Sequence, residues 1–157
     1  MDFEKLYQDA IKESGDFSGH METVWNLLQD CNHATEFGTG LGESSKIFLR
    51  KEGLIFHSYE IDPKPEIIKL FADAKAAGRD AHLHIADTTK VEIEETDILL
   101  VDSYHSYKQV FAELNLHGHK VRKYIVFHDT EKYGFIGQGY DRMEDNFELG
   151  IIPAIDD

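Results

Sequence analysis

From residue 33 onward, strand-length apolar runs alternate with stretches of helical periodicity, and this alternation constrains the fold more than any other feature of the chain. The runs are Ala34 to Phe37, Leu54 to Tyr59, Ala81 to Ala86, Ile98 to Val101 and Tyr124 to Phe127, each about the length of a strand. Between them, Ile47 and Phe48 precede Gly53, Ile67, Ile68, Phe71 and Ala74 precede Gly78, and Tyr107, Val110, Phe111 and Leu114 precede Gly118. Each glycine can end a helix. Asp62 followed by Pro63 reads as an N-cap with proline at the first helical position, starting a helix over Asp62 to Lys69. Two amphipathic helices come first, one on Phe3, Leu6, Tyr7, Ala10 and Ile11, the other on Met21, Val24, Trp25 and Leu28 with Ser18 as its N-cap. Short strands joined through helices imply a doubly wound α/β fold: a mostly parallel sheet of five strands with helices on both faces. Ligands of such sheets bind beyond the carboxyl ends of the strands, where the strand order reverses, so the residues that end the strands are the functional candidates.

The first strand runs into Glu36-Phe37-Gly38-Thr39-Gly40-Leu41-Gly42-Glu43-Ser44, where three glycines let the backbone turn tightly and approach a ligand. A dinucleotide fingerprint needs its third glycine where Glu43 stands, and that carboxylate would face a pyrophosphate beside a helix N-terminus. No Gly-Lys-Ser/Thr triplet follows, so a Walker-type phosphate loop fails as well.

The pattern Glu36-x-Gly38-x-Gly40-x-Gly42 resembles motif I of the class I S-adenosylmethionine-dependent methyltransferases. The resemblance covers roughly residues 17 to 130 and implies a Rossmann-like methyltransferase fold with S-adenosylmethionine as cofactor. It places Glu36, Gly38, Thr39, Gly40 and Gly42 around that cofactor, Glu60 on the ribose hydroxyls, Asp87 against the adenine amino group, and Asp102 beside them. A carboxylate can accept from both hydroxyls at once, which suits Glu60, whereas Asp62 is accounted for as a helix cap.

The ends of the fourth and fifth strands, Asp102-Ser103-Tyr104-His105 and His128-Asp129, resemble a small-molecule O-methyltransferase branch, some members of which bind a divalent ion. Carried over, Asp102, His128 and Asp129 become metal ligands and His105 the general base. The chemistry agrees, because a neutral hydroxyl is a poor nucleophile until it loses its proton, to a histidine or through a metal that acidifies it. Oxygen ligands favour Mg²⁺ or Ca²⁺, and a histidine ligand moves the preference towards Mn²⁺, Fe²⁺ or Zn²⁺. The same residues also fit plainer roles, Asp102 as a helix cap and His128-Asp129 as a cap or as partners of the cofactor's methionine portion. His82 and His84 alternate along one strand and share a face; with no third ligand near them in sequence, they are expected to be hydrogen-bonded structural residues. His117 and His119 flank Gly118 at a helix end, where a cationic ring suits the dipole, and Trp25 reads as core or pocket wall.

Charge bears on the substrate. Sixteen Lys and Arg against 30 Asp and Glu give a net charge of −14, with no basic patch, so a nucleic-acid partner is disfavoured; a small hydroxylated molecule is the substrate that the resemblance implies. The single Cys31 can form no internal disulfide, the first residues are acidic, and no apolar run approaches the roughly 18 residues that span a bilayer, so a cytoplasmic protein is expected. The 157 residues suit one domain, with N-terminal helices over 1–31, a cofactor-binding core over 32–130 and an incomplete C-terminal segment over 131–157. Gly150 to Asp157 resembles the opening of the family's next helix, so the final strand pair is expected to be lacking, the fifth strand to lie at an edge, and a homodimer to cover it. The expected activity is O-methylation of a small molecule; a cofactor-binding module without turnover and a nucleotide- or NAD-binding enzyme remain as alternatives.

Overall fold

In the computed structural model, which describes residues 1–13, 15, 17–139 and 148–157, five strands pair in parallel: β1 His33–Phe37, β2 Ile55–Glu60, β3 Asp80–Ile85, β4 Thr96–Val101 and β5 Val121–Phe127. Their order is β3-β2-β1-β4-β5, so β3 and β5 are the edges and the order reverses between β1 and β4. The strands fall where the apolar runs lie, except that β4 begins two residues before Ile98 and β5 three before Tyr124. Arg122 and Lys123, exposed on that edge strand, conceal its start from any search for apolar runs.

The two-residue period of the strands sorts the core. Ala34, Phe56, Ala81, Ile98 and Leu100 face one layer, with the helices α1 Phe3–Lys12, α2 Met21–Leu27, α3 Glu43–Arg50 and α4 Pro65–Ala76. Phe37, Tyr59, Leu99 and Val101 face the other, with α5 Tyr107–His117 and α6 Ile151–Asp156. Phe56 lies between Phe48 and Phe71, ring centroids 4.8 and 5.5 Å away, which ties α3 and α4 to β2 by about 1 kcal/mol per pair beyond the buried area. Trp25 packs on the first layer and carries the Arg50 guanidinium 3.9 Å from its ring centroid, so it belongs to the core. Cys31 is a buried free thiol, pushed up to about 11 by that burial.

Two expected caps are corrected. Helix α4 starts at Pro65 with Lys64 as N-cap, not at Asp62-Pro63. A residue before proline is driven out of the helical region, and Lys64 is extended (ψ 151°), so the second proline of the pair sets the start. Ser18 opens a short 3₁₀ turn and its hydroxyl donates to the Gly15 carbonyl at 2.9 Å, leaving no side-chain cap on α2.

The tail helix α6 is present and packed: Ile151 and Ala154 are buried, and the Tyr107 hydroxyl donates to Asp157 at 2.8 Å. The part of the C-terminal segment over 140–147 lies outside the described residues. Among the described residues, no helix is long and apolar enough to cross a membrane.

Candidate cofactor and catalytic site

Main-chain hydrogen bonds continue past the strand ends and hold the exits in a row. Ala86 N–H donates to Glu60 O (3.1 Å), Gly38 to Tyr59 O (2.9 Å), Asp102 to Phe37 O (2.8 Å) and His128 to Val101 O (3.1 Å). The side chains that follow the apolar runs are thereby lined up at the point where the strand order reverses.

Gly38 has φ +83°, and a Cβ there would meet the Asp102 carbonyl oxygen at 2.1 Å, so only glycine lets the loop close on the end of β4. Beyond it opens a cavity of about 500 Å³ lined by Gly38, Gly40, Glu60, Asp87, Asp102 and His105, among others. A second cavity, bordered by Thr39, Gly40, Asp102, His128 and Asp129, continues along the loop. Glu60 Oε2 accepts from Thr39 N (3.0 Å) and Oγ1 (3.2 Å), and its Oε1 from Ile61 N (2.9 Å) and Asp62 N (3.2 Å). Burial works to raise this carboxyl's pKa, but the main-chain donors at Asp62 and Thr39 outweigh it and hold it below the ordinary value. Asp87 takes an ion pair from Lys90 at 2.7 Å and bonds from Thr89, which hold it at about 2.

Where the cavities meet, Asp102, His105, His128 and Asp129 converge, each offering a ligand atom within 4.8 Å of the others. Asp102 Oδ1 receives His105 Nε2 at 3.1 Å and His128 Nδ1 at 3.2 Å; Asp129 lies 3.7 Å from His105 and 3.6 Å from His128. Burial disfavours the charged carboxylate of Asp102, yet its two histidine bonds outweigh that and keep its pKa low. His105 is raised: burial opposes its charge, but the bonds to Asp102 and Gln138 and the nearby carboxylates prevail. Asp129 is the one non-glycine residue with positive φ (+55°) among the described residues, a strain that clusters at functional sites. Ser106, whose hydroxyl accepts from Gln109 N, caps α5, so Asp102 is not occupied as a cap.

Gly42, expected at the cofactor, lines neither cavity: it caps α3 at φ +78°, where a Cβ would meet Ile67 Cδ1 of α4 at 2.8 Å. Glu36 also stands apart from the other expected cofactor contacts. Its carboxylate is wholly buried on the α3 side of the sheet and accepts from the hydroxyls of Ser44 (2.5 Å), Ser45 (2.7 Å) and Ser58 (2.6 Å), so it braces the glycine loop from below and does not line the cavity. An acid at an even position of β1 points to the opposite face from Phe37, which a residue-type match to the motif does not register. Burial pushes its pKa up to about 7 against the pull of the three serines. With 4.5 as its ordinary value, the stabilisation is complete below that pH and is lost as pH rises through about 7. Wild-type stability is therefore expected to fall by about 2.5 kcal/mol more than that of Glu36→Gln between pH 5 and 8 in paired denaturant titrations. Parallel curves for the two proteins would show Glu36 to be titrating normally.

Two participants escaped the sequence. Gln138 Oε1 lies 3.0 Å from His105 Nδ1 and also accepts the His105 main-chain N–H at 3.3 Å. Glu113, fully buried on α5, accepts from Thr88 (2.5 Å), Ser103 (2.8 Å) and Gln109 (2.8 Å), joining the exits of β3 and β4 from behind. Neither follows an apolar run. His117, expected to be cationic, is corrected: it is fully buried, its Nε2 meets the Thr88 carbonyl at 2.8 Å, and burial lowers its pKa, leaving the ring neutral.

No protein-family model matches the chain, and no curated protein matches it. Solved structures do. The N-terminal domain of EvdMO1, crystallised in the presence of SAH and D-fucose, aligns over 99% of this chain and 84% of its own length with TM-score 0.57 and 10% identity. The N-methyltransferase NodS from Bradyrhizobium japonicum WM9 aligns over 74% of this chain and 69% of its own length with TM-score 0.57 and 11% identity. Coclaurine N-methyltransferase, bound to N-methylheliamine and SAH, aligns over 71% of this chain with TM-score 0.51 and 16% identity, and the chain spans only 36% of that enzyme's length. The protein thus has the Rossmann-like fold of the class I methyltransferases. At these identities the likeness defines architecture, and the activity has to be argued from the site.

Proposed function

We propose that this protein is an S-adenosylmethionine-dependent methyltransferase that methylates a hydroxyl group of a small molecule. The observation that carries the reading is the row of strand exits: a left-handed glycine loop, a carboxylate at the end of β2 and an Asp–His pair at the end of β4, all facing one run of cavities. The cofactor fits what is there. Gly40, at φ +48°, has no atom within 4 Å of where a Cβ would sit, so the loop presents bare backbone to both cavities.

When bound, S-adenosylmethionine supplies a methyl group on a sulfonium, open to in-line displacement. Glu60 is ionised at neutral pH and would hold the ribose hydroxyls of the bound cofactor, its longest contacts, from Thr39 Oγ1 and Asp62 N at 3.2 Å, being the ones most readily given up. Asp102 orients His105 through Nε2, and His105 takes the acceptor's proton at Nδ1, the nitrogen that Gln138 covers. The acceptor hydroxyl belongs where His105 and Gln138 line the 500 Å³ cavity, and the cavity of about 360 Å³ beside His128 and Asp129, with Phe17 and Val24 in its wall, offers room for the remainder of a small molecule.

Calorimetric titration tests the cofactor. Wild-type protein is expected to bind S-adenosylmethionine and not NAD, and Glu60→Gln to bind it about 10- to 100-fold more weakly, the loss of hydrogen bonds to a charged group. No heat with S-adenosylmethionine at millimolar concentration would end the reading. Binding without release of S-adenosylhomocysteine across a panel of hydroxylated acceptors would make the protein a cofactor-binding module.

The convergence of four ligand atoms favours a second reading of the same cluster, in which Asp102, His105, His128 and Asp129 hold a divalent ion that acidifies the acceptor hydroxyl. Two imidazoles shift the preference from Mg²⁺ or Ca²⁺ towards Mn²⁺, Fe²⁺ or Zn²⁺. Activity that survives exhaustive chelation assigns the cluster to proton transfer alone; activity that chelation abolishes and one metal restores assigns it to the ion.

A further inference from the structure

A second group of histidines lies on the sheet away from this cluster. His33, His57, His82 and His84 project from β1, β2 and β3 on the face that Phe37 and Tyr59 share, since residues two apart on a strand, and register partners such as His57 and His82, point the same way. Over β1 and β4 that face is covered by α5 and α6, whereas over β2 and β3 the covering is the β3–β4 connection, residues 86–95, which contributes Val91, Ile93 and Glu94. The expected pairing of His82 and His84 as hydrogen-bonded residues is present, with His82 Nε2 at 2.7 Å from Asp80 and His84 Nε2 at 2.9 Å from His57 Nδ1. Among the described residues no ligand cluster includes His82 or His84; the cluster on this face is His33, His57 and Glu94, which the parallel register and the covering loop bring together.

We propose that His33, His57 and Glu94 form a binding site for a divalent transition metal, Zn²⁺ in preference to Mg²⁺ or Ca²⁺, separate from the Asp102 cluster. One ligand atom from each lies within 4.8 Å of the other two, and the His33 and His57 ring centroids are 5.1 Å apart. His33 is only 7% exposed, and its Nε2 meets no hydrogen-bond partner. The Glu95 main chain lies beside the ring and Asp97 holds the His33 main-chain N–H at 3.2 Å, so the residue is positioned while Nε2 stays open. A buried imidazole nitrogen without a partner is costly, and His117 Nδ1 is in the same state; what sets His33 apart is that ligand atoms of His57 and Glu94 lie within 4.8 Å, where a cation would satisfy all three. His57 has the orienting partner that metal-bound histidines carry, in His84, and His57 also stacks on His82 at 4.8 Å. Glu94 supplies the negative charge from an exposed position on the covering loop, and a cavity bordered by His57, His84 and Glu94 leaves room for water to complete the coordination. Two neutral nitrogens and one carboxylate suit Zn²⁺ and its neighbours and do not suit the oxygen-seeking ions. The same cavity touches Tyr59 and Ala86, which also line the 500 Å³ pocket, so the ion would pin the connection that carries Asp87.

The test is titration of EDTA-stripped protein with Zn²⁺ against a competing chelator, in wild type, His57→Gln and Glu94→Gln. Whatever the Asp102 cluster binds is common to all three proteins, so the difference belongs to this site. Wild type is expected to show one equivalent that both variants bind about 10-fold or more weakly, and the first Zn²⁺ is expected to shift the ring ¹⁵N resonances of His33 and His57. If His57→Gln does not fold, the exposed Glu94→Gln decides. Equal affinity and stoichiometry in wild type and Glu94→Gln, or shifts confined to other histidines, overturn the site whatever becomes of the methyltransferase reading.

Discussion

Gly38→Ala is expected to lose most of the protein's affinity for S-adenosylmethionine and about 3 kcal/mol or more of stability. Holding a residue with a Cβ in the left-handed region costs about 1–2 kcal/mol by itself. The larger cost is contact with main chain: the added carbon would lie 2.1 Å from the Asp102 carbonyl oxygen, 2.7 Å from its carbon and 3.1 Å from Ser103 N. Neither neighbour is a flexible side-chain end that can swing aside. Relief requires β1 and β4 to part where Asp102 N–H bonds Phe37 O, and that parting displaces the loop and the Asp102 carboxylate together. Gly40→Ala is the control. Its φ is +48° and its Cβ would meet nothing within 4 Å, so it should lose only the conformational part, about 1 kcal/mol, while placing a methyl in the cavity. Chemical denaturation separates the two by stability, and calorimetry with S-adenosylmethionine should find both weakened. A Gly38→Ala protein that binds as tightly as wild type would mean that the loop does not wrap the cofactor.

The contrast between these glycines was beyond the sequence, although the loop itself was legible. Strand exits are marked wherever an apolar run ends on a polar residue, and Glu60, Asp87, Asp102 and His128 all stand at such transitions. Their lateral order was inferable from the rule for doubly wound sheets. What was hidden depends on which way a side chain points or on partners from distant segments. Glu36 matches the motif by type and yet faces the serines of α3 and β2. Gln138 reaches His105 from a loop with no periodicity to betray it, and His33 meets His57 and Glu94 only through register and a covering loop. Pro63 and Pro65 offered two helix starts, and local sterics at Lys64 chose the second. His117 was assigned a charge from its place at a helix end, and burial overruled the dipole.

The other large effect concerns His105. Its two ring nitrogens both face acceptors, Asp102 Oδ1 at 3.1 Å and Gln138 Oε1 at 3.0 Å, so the arrangement stabilises the doubly protonated ring and raises its pKa above the ordinary 6.5. A base must be free of its proton, so the active form accumulates only as pH rises through that raised value. The turnover rate should therefore climb through an inflection above 6.5 and level off at higher pH. His105→Ala should lower kcat by about 10²- to 10⁴-fold while leaving cofactor affinity near that of wild type. Asp102→Asn removes the carboxylate that favours the charged ring, so its residual activity should show the inflection at lower pH. Inactivity of His105→Ala with an unshifted inflection in Asp102→Asn would point to the metal reading, in which loss of a ligand accounts for the result and chelation of wild type has the same effect. Unchanged kcat in His105→Ala would remove the residue from the chemistry altogether and leave the pair as a brace for the end of β4.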